Sequence, residues 1–168
     1  MNRTITVAPV RKTVRVNGAP AHAFEAFALG LGRWWPASHS IGCVPMKDVV
    51  IEPRTGGRWY ERGQDGSECD WGVVLAWEPP GRLLLGWHLD SEFRHDPAAA
   101  TEVELRFIAE SPGVTRVELE HRGLERLGAQ ADVLRRKIDS PNGWAGLLER
   151  YREAAATDFQ RSPAGEGQ

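Results

Sequence analysis

Apolar positions recur at helical spacing near the C-terminus and at alternate positions through the middle of the chain. In residues 142–156, NGWAGLLERYREAAA, Trp144, Leu147, Leu148, Tyr151 and Ala155 fall on one face of an α-helix. Glu149, Arg150, Arg152 and Glu153 lie mostly off that face, and the pattern ends at Ala156. Ser140 or Asn142 would cap the start, because Pro141 is tolerated only in a first turn. Upstream, Val103, Leu105 and Phe107 alternate with Glu102, Glu104 and Arg106. Val117, Leu119 and His121 do the same against Arg116, Glu118, Glu120 and Arg122. Such alternation predicts strands with one dry and one wet face, the glutamates being solvated charges on the wet side.

The remaining elements follow from turn signals. Residues Thr4 to Val16 predict an edge or bulged strand, firmest after Pro9, and Asn17-Gly18 a turn. Ala19-Pro20 opens a helix through Leu29 with Ala23, Phe24 and Phe27 inward; a short helical piece, Leu31 to Trp35, stops at Pro36. Ala37 to Pro45 reads as a loop. Val49 and Ile51 share a strand face, and Thr55-Gly56-Gly57 turns into Arg58 to Arg62. In Glu68 to Glu78, Trp71, Val73, Leu75 and Trp77 alternate with Gly72, Val74 and Ala76. After Pro79-Pro80-Gly81, Leu83, Leu85, Trp87 and Leu89 share a face. Asp90 to Ala99 is a loop, Ser111-Pro112-Gly113 joins the two amphipathic strands, and Gly128 to Ile138 suggests a short helix before the long one.

The order is strand, two short helices, about six further strands and a long helix, which predicts an α+β domain with one curved antiparallel sheet around that helix. A strongly curved sheet cannot touch a straight helix along its whole length, so a cavity between them competes with a filled core. The 168 residues suit a single domain, with a core from about 10 to 156 and a polar, frayed tail at 157–168. Net charge is −2 with both signs well mixed, which gives no footprint for nucleic acid. No stretch has the apolar run of a signal peptide or a membrane span, so a soluble, cytoplasmic protein without membrane insertion is expected. Cys43 and Cys69 fit reduced thiols better than a disulfide framework. Arginine greatly outnumbers lysine (Lys12, Lys47 and Lys137), as GC-rich bacterial genomes tend to encode.

The segments PAHAFEAFALGLGRWWPASHSIG (20–42), GGRWYERGQDGSECDWGVVLAWEPPGRLLLGWHLD (56–90), VELEHRGLE (117–125) and GWAGLLERY (143–151), in that order, resemble the SRPBCC (START/Bet v 1-like) superfamily. Within it the chain is similar to the branch named after the activator of Hsp90 ATPase. The resemblance implies a helix-grip fold, a sheet of about six to seven strands gripping the C-terminal helix over a hydrophobic cavity. It implies much less about activity, because one fold hosts many functions.

Seven tryptophans in this length are many, and flat indole walls suit an aromatic or polycyclic ligand. The expected occupant is a small hydrophobic molecule, aromatic or lipid-like. Trp59, Trp87, Phe107, Leu119, His121 and Tyr151 are the candidate lining residues, with Leu147 and Leu148 as the helix wall. His121, on an apolar face, is more often a hydrogen-bonded core group than a catalyst; as a functional group it would orient a ligand. Strand register leaves two alternatives at 58–62: Trp59 and Glu61 inward, with Glu61 in need of a partner, or Tyr60 inward and Glu61 on the surface. Trp34 and Trp35 would close one end of the cavity, or form an exposed apolar patch if the chain acts through its surface. His39 and Cys43 are too few for a metal site, and no nucleotide, phosphate or nucleophile motif is present. No cofactor, metal or catalytic residue is therefore assigned. The alternative functions are a cyclase, hydrolase or detoxifying enzyme acting on a polyketide-like compound, and an interaction module; a homodimer and a chaperone partner stay open.

Overall fold

The computed structural model describes residues 7–42 and 44–166, with side chains through residue 157. Strand β1 (Val10–Asn17) leads through a turn at Gly18 into helix α1 (Pro20–Ala28) and the single-turn helix α2 (Leu31–Trp34). Six strands follow: β2 (Met46–Ile51), β3 (Arg58–Gly63), β4 (Glu68–Glu78), β5 (Arg82–Trp87), β6 (Thr101–Ser111) and β7 (Val114–Arg122). Helices α3 (Ala131–Asp139) and α4 (Gly146–Glu166) close the chain. The strands form one curled antiparallel sheet, in the order β1-β7-β6-β5-β4-β3-β2, with α4 on its concave side, the helix-grip arrangement. Among the described residues no helix is long and apolar enough to cross a membrane.

The topology decides what fills the concave side. Strands β1 and β2 are opposite edges of the sheet, so the chain between them must cross it, and α1 and α2 are that crossing. Phe24 and Phe27 of α1 meet Phe107 of β6 at ring distances of 5.1 and 6.3 Å. Phe27 also stacks edge-on against Tyr151 of α4 at 5.2 Å, and the Tyr151 hydroxyl donates to the Ala23 carbonyl at 2.6 Å. Burial pushes the Tyr151 phenol well above its usual range. Much of the space between sheet and helix is therefore packed with α1 side chains.

Alternation holds in β6 and β7, where Val103, Leu105 and Phe107 face inward opposite His121, Leu119 and Val117. It fails twice in β4. Trp59 pairs with Gly72 and Tyr60 with Asp70, so Trp71 is an extra residue. Val74 pairs with Leu85 and Ala76 with Leu84, so Leu75 is another. These β-bulges put Trp71, Val74 and Trp77 inward and leave Leu75 40% exposed, instead of the single face that simple alternation predicts. Glu104 also departs from expectation. It is not a solvated charge but 6% exposed, with Arg82 at 2.5 Å, Arg122 at 2.8 Å and Arg106 at 3.3 Å. Burial raises its pKa, but hydrogen bonds from Arg82 and Arg122 outweigh that and hold it down at about 2.

The entry to α4 differs as well. Residues Pro141–Ala145 form a wide π-type turn, broken at Gly143 (φ −91°, ψ −137°), before the helix proper begins. Ser140 does not cap α4; its hydroxyl donates back to the Lys137 carbonyl at 2.7 Å. Gly143 is required by close approach, since a Cβ there would lie 2.2 Å from the Ile138 carbonyl oxygen. The helix runs to Glu166, past the Ala156 end read from the pattern.

Candidate functional site

Five tryptophans from five parts of the chain form a closed cycle of ring contacts. Trp35, after α2, meets Trp71 of β4 at 4.9 Å; Trp71 meets Trp59 of β3 at 5.5 Å. Trp59 meets Trp87 of β5 at 5.6 Å, and Trp87 meets Trp144 at 5.7 Å. Trp144 returns to Trp35 at 6.1 Å. Four of them, Trp35, Trp71, Trp87 and Trp144, line a half-open pocket of about 370 Å³. Ile41, Leu89, Phe93, Ile138 and Leu147 complete its apolar lining. Polar groups lie around it: Ser38, His39, Ser40, Lys137, Ser140 and Asn142. The pocket thus sits at the N-terminal end of α4, between the loop after α2, strands β4 and β5, and the α3–α4 junction.

Register at β3 puts Trp59 and Glu61 inward, at 1% exposure each, while Tyr60 lies on the other face under Arg58 at 4.1 Å. Among the described residues no cation is within ion-pair distance of Glu61. Its partners are neutral donors: the Ile41 and Gly42 amides at 2.6 and 3.1 Å, the Trp71 indole at 3.1 Å, and the Ser40 hydroxyl. A buried carboxylate that accepts several hydrogen bonds needs no ion pair. Here those bonds fasten residues 40–42, one wall of the pocket, to the sheet.

His121 is fully buried and lies behind Trp87 and Trp144. Its Nδ1 accepts from the Trp144 indole N–H at 3.0 Å; an indole can only donate, so the ring proton is on Nε2. Nε2 is 2.8 Å from the Thr101 hydroxyl, which in turn donates to the Trp87 carbonyl at 3.3 Å. Both ring nitrogens are committed, and burial pushes the imidazole down to about 3. His121 therefore holds Trp144 and Trp87 in place and is neutral near pH 7.

Of the residues singled out from sequence, Trp87 and Leu147 line the pocket. Trp59 and His121 stand directly behind Trp71, Trp87 and Trp144. Phe107, Leu119, Tyr151 and Leu148 are buried elsewhere in the core. Trp35 lines the pocket, whereas Trp34 packs on Phe27 and Tyr151; both are buried, at 5% and 2% exposure, and form no surface patch. Among the described residues no three His, Cys, Asp or Glu groups are placed to hold a metal. Cys43, and with it any pairing to Cys69, lies outside the described residues.

Residues 19–154 match the family described as Activator of Hsp90 ATPase homolog 1-like protein. The chain belongs to that family. Another member of the same SRPBCC fold is the anthrahydroquino-γ-pyrone synthase Txn09, solved as a complex. It is 36% identical over 89% of this chain and 97% of its own, with a TM-score of 0.62. CalC from Micromonospora echinospora, a self-sacrificing resistance protein, is 28% identical over 89% and 95%, with a TM-score of 0.67. The Aha1 dimer from Colwellia psychrerythraea shares the fold at 14% identity over 89% and 97%, TM-score 0.59. No curated protein sequence matches the chain.

Sequence reasoning weighs His39 only as a metal ligand and does not place it, Ser38 or Lys137 on the rim of a pocket. His39 Nε2 is 2.7 Å from the Asn142 carbonyl, and Nδ1 is 3.0 Å from the Ser38 hydroxyl. The signal was the pair Ser38-His39 between Pro36 and Pro45, in a stretch with no periodicity to give it a face.

Proposed function

We propose that this protein binds a compact, flat, polycyclic aromatic molecule in the indole-walled pocket. The observation that carries the reading is four indoles lining one pocket of about 370 Å³. That volume is near the small end of the roughly 300–1,000 Å³ typical of ligand sites, which favours fused rings over a long acyl chain.

Titrating intrinsic fluorescence with hydroxyanthraquinones, flavonoids and fatty acids tests this. Saturable quenching by the aromatic compounds, with fatty acids silent, is expected. In Trp87→Phe, which replaces one indole of the lining by a smaller ring, affinity should fall about five- to tenfold. Equal affinity in the variant, or binding by fatty acids alone, would refute this assignment.

A catalytic reading has one specific support: Txn09, at 36% identity over nearly its whole length, is a synthase. On that reading the protein is a cyclase-type enzyme for a polyketide-like aromatic compound, and product analysis after incubation with candidate substrates separates it from a carrier. Self-association and a chaperone partner are weaker proposals, supported by the dimeric state of a 14%-identical relative and by the family description.

A further inference from the structure

The residues lining the pocket include no carboxylate, and Lys137 is the one formal charge among them. Among the described residues no acid lies within ion-pair distance of Lys137. Its ammonium donates to the Ser91 carbonyl and sits 5.3 Å from the Phe93 ring, which leaves donors uncommitted. Opposite in sequence, on the loop after α2, the Ser38 hydroxyl faces His39 Nδ1. The Asn142 carbonyl can only accept, so His39 carries its proton on Nε2 and offers the Nδ1 lone pair to Ser38. The rim therefore combines a proton-accepting pair with a positive charge, over a floor of indoles.

We propose that the pocket takes its aromatic ligand as an oxyanion, with the Ser38–His39 pair accepting the ring hydroxyl's proton and Lys137 balancing the charge left behind. In the transfer, the ligand O–H bond breaks and its electron pair stays on the ligand oxygen. The proton passes to Ser38 Oγ as the serine's own proton moves to His39 Nδ1. Phenol and imidazole become phenolate and imidazolium, with no net change in charge. The imidazolium keeps its Nε2–H bond to the Asn142 carbonyl, and the phenolate faces Lys137. The ligand class this selects is a hydroxylated polycyclic aromatic with an acidic ring hydroxyl, in preference to its methyl ether. Such ionisation raises electron density on the ring oxygen, the state in which a phenol acts as a nucleophile.

This rests on the aromatic-ligand reading above, and one experiment separates the two. Alizarin, a hydroxyanthraquinone dye whose visible band shifts on ionisation, is the probe. Quenching of tryptophan fluorescence reports binding, and the visible band of the bound dye is followed against pH. The ionisable side chains on the pocket's lining are His39 and Lys137; Glu61 and His121 are buried behind it. Burial against indoles alone would raise the dye's pKa. The expected result is the opposite: a bound-state pKa about one unit or more below that of free dye, shrinking with added salt because the rim is solvent-accessible. Lys137→Met and His39→Gln should each bring it back to the free value or above, with quenching saturating only at higher dye concentration. Bound dye with an unchanged or raised pKa, or variants with no effect on it, would overturn this proposal and leave binding intact. A dye that fails to quench at all would remove both readings.

Discussion

His121 has no charged neighbour to compensate its burial, and this fixes how it contributes to stability as pH changes. In the unfolded chain its pKa is near 6.5; in the fold it is about 3. Between those values the unfolded state binds a proton that the native state refuses, so stability falls as pH drops from about 6.5 towards 3. The slope approaches about 1.4 kcal/mol per pH unit. Glu104 acts lower on the scale. Its folded pKa of about 2 lies below the usual 4.5, so its contribution is complete above pH 4.5 and is lost as pH falls towards 2. The windows separate the two groups. In urea unfolding at pH 7, 6 and 5, His121→Phe should be weaker at pH 7 by about 1–3 kcal/mol, because the Trp144 N–H and Thr101 lose their partner. It should lose the pH slope between 6.5 and 5. Parallel slopes in wild type and variant would place the acid sensitivity elsewhere.

The loop after α2 is held by one side chain more than by packing, since Ser40, Ile41 and Gly42 all donate to Glu61. In Glu61→Gln one oxygen becomes an NH₂ that cannot accept, leaving at least one buried donor of the loop or of Trp71 unpaired. The expected destabilisation is about 1–3 kcal/mol, and amide hydrogen exchange should rise at Ile41 and Gly42 with β6 and β7 unaffected. Exchange rising evenly through the sheet would mean that Glu61 supports the core and not the loop. The same element shows where sequence stops being legible. The stripe of α4 and the alternation of β6 and β7 follow from fixed periods, so Leu147, Tyr151, Leu105 and Leu119 could be placed inward from the pattern alone. The bulges at Trp71 and Leu75 reset the phase of β4, and nothing in its run of apolar residues marks where. Glu61 could be recognised as a carboxylate needing a partner, but its donors are backbone amides of a loop without period. The pocket itself is made where the helix pattern broke, at Gly143.

At the scale of the molecule, the crossing from one sheet edge to the other leaves an uneven interior. Helix α1 fills the space under the later turns of α4, so Phe107, Leu148 and Tyr151 pack against other side chains there. The pocket is confined to the end where Trp35, Trp71, Trp87 and Trp144 converge from separate parts of the chain. Those four residues are spread from 35 to 144 in the sequence, and unfolding scatters them. A ligand held by them binds the native state and not the unfolded one, so affinity and stability are linked by mass action. At a free concentration of one hundred times Kd, an aromatic ligand should stabilise the fold by about 2.7 kcal/mol. For a domain of this length that corresponds to a rise in Tm of about 5–10 °C. The rise should grow with the logarithm of ligand concentration, and in Trp87→Phe the same curve should be displaced to about five- to tenfold higher concentration. Quenching without any change in Tm would mean that the compound meets tryptophan in folded and unfolded chains alike, which an indole wall assembled only by folding cannot do.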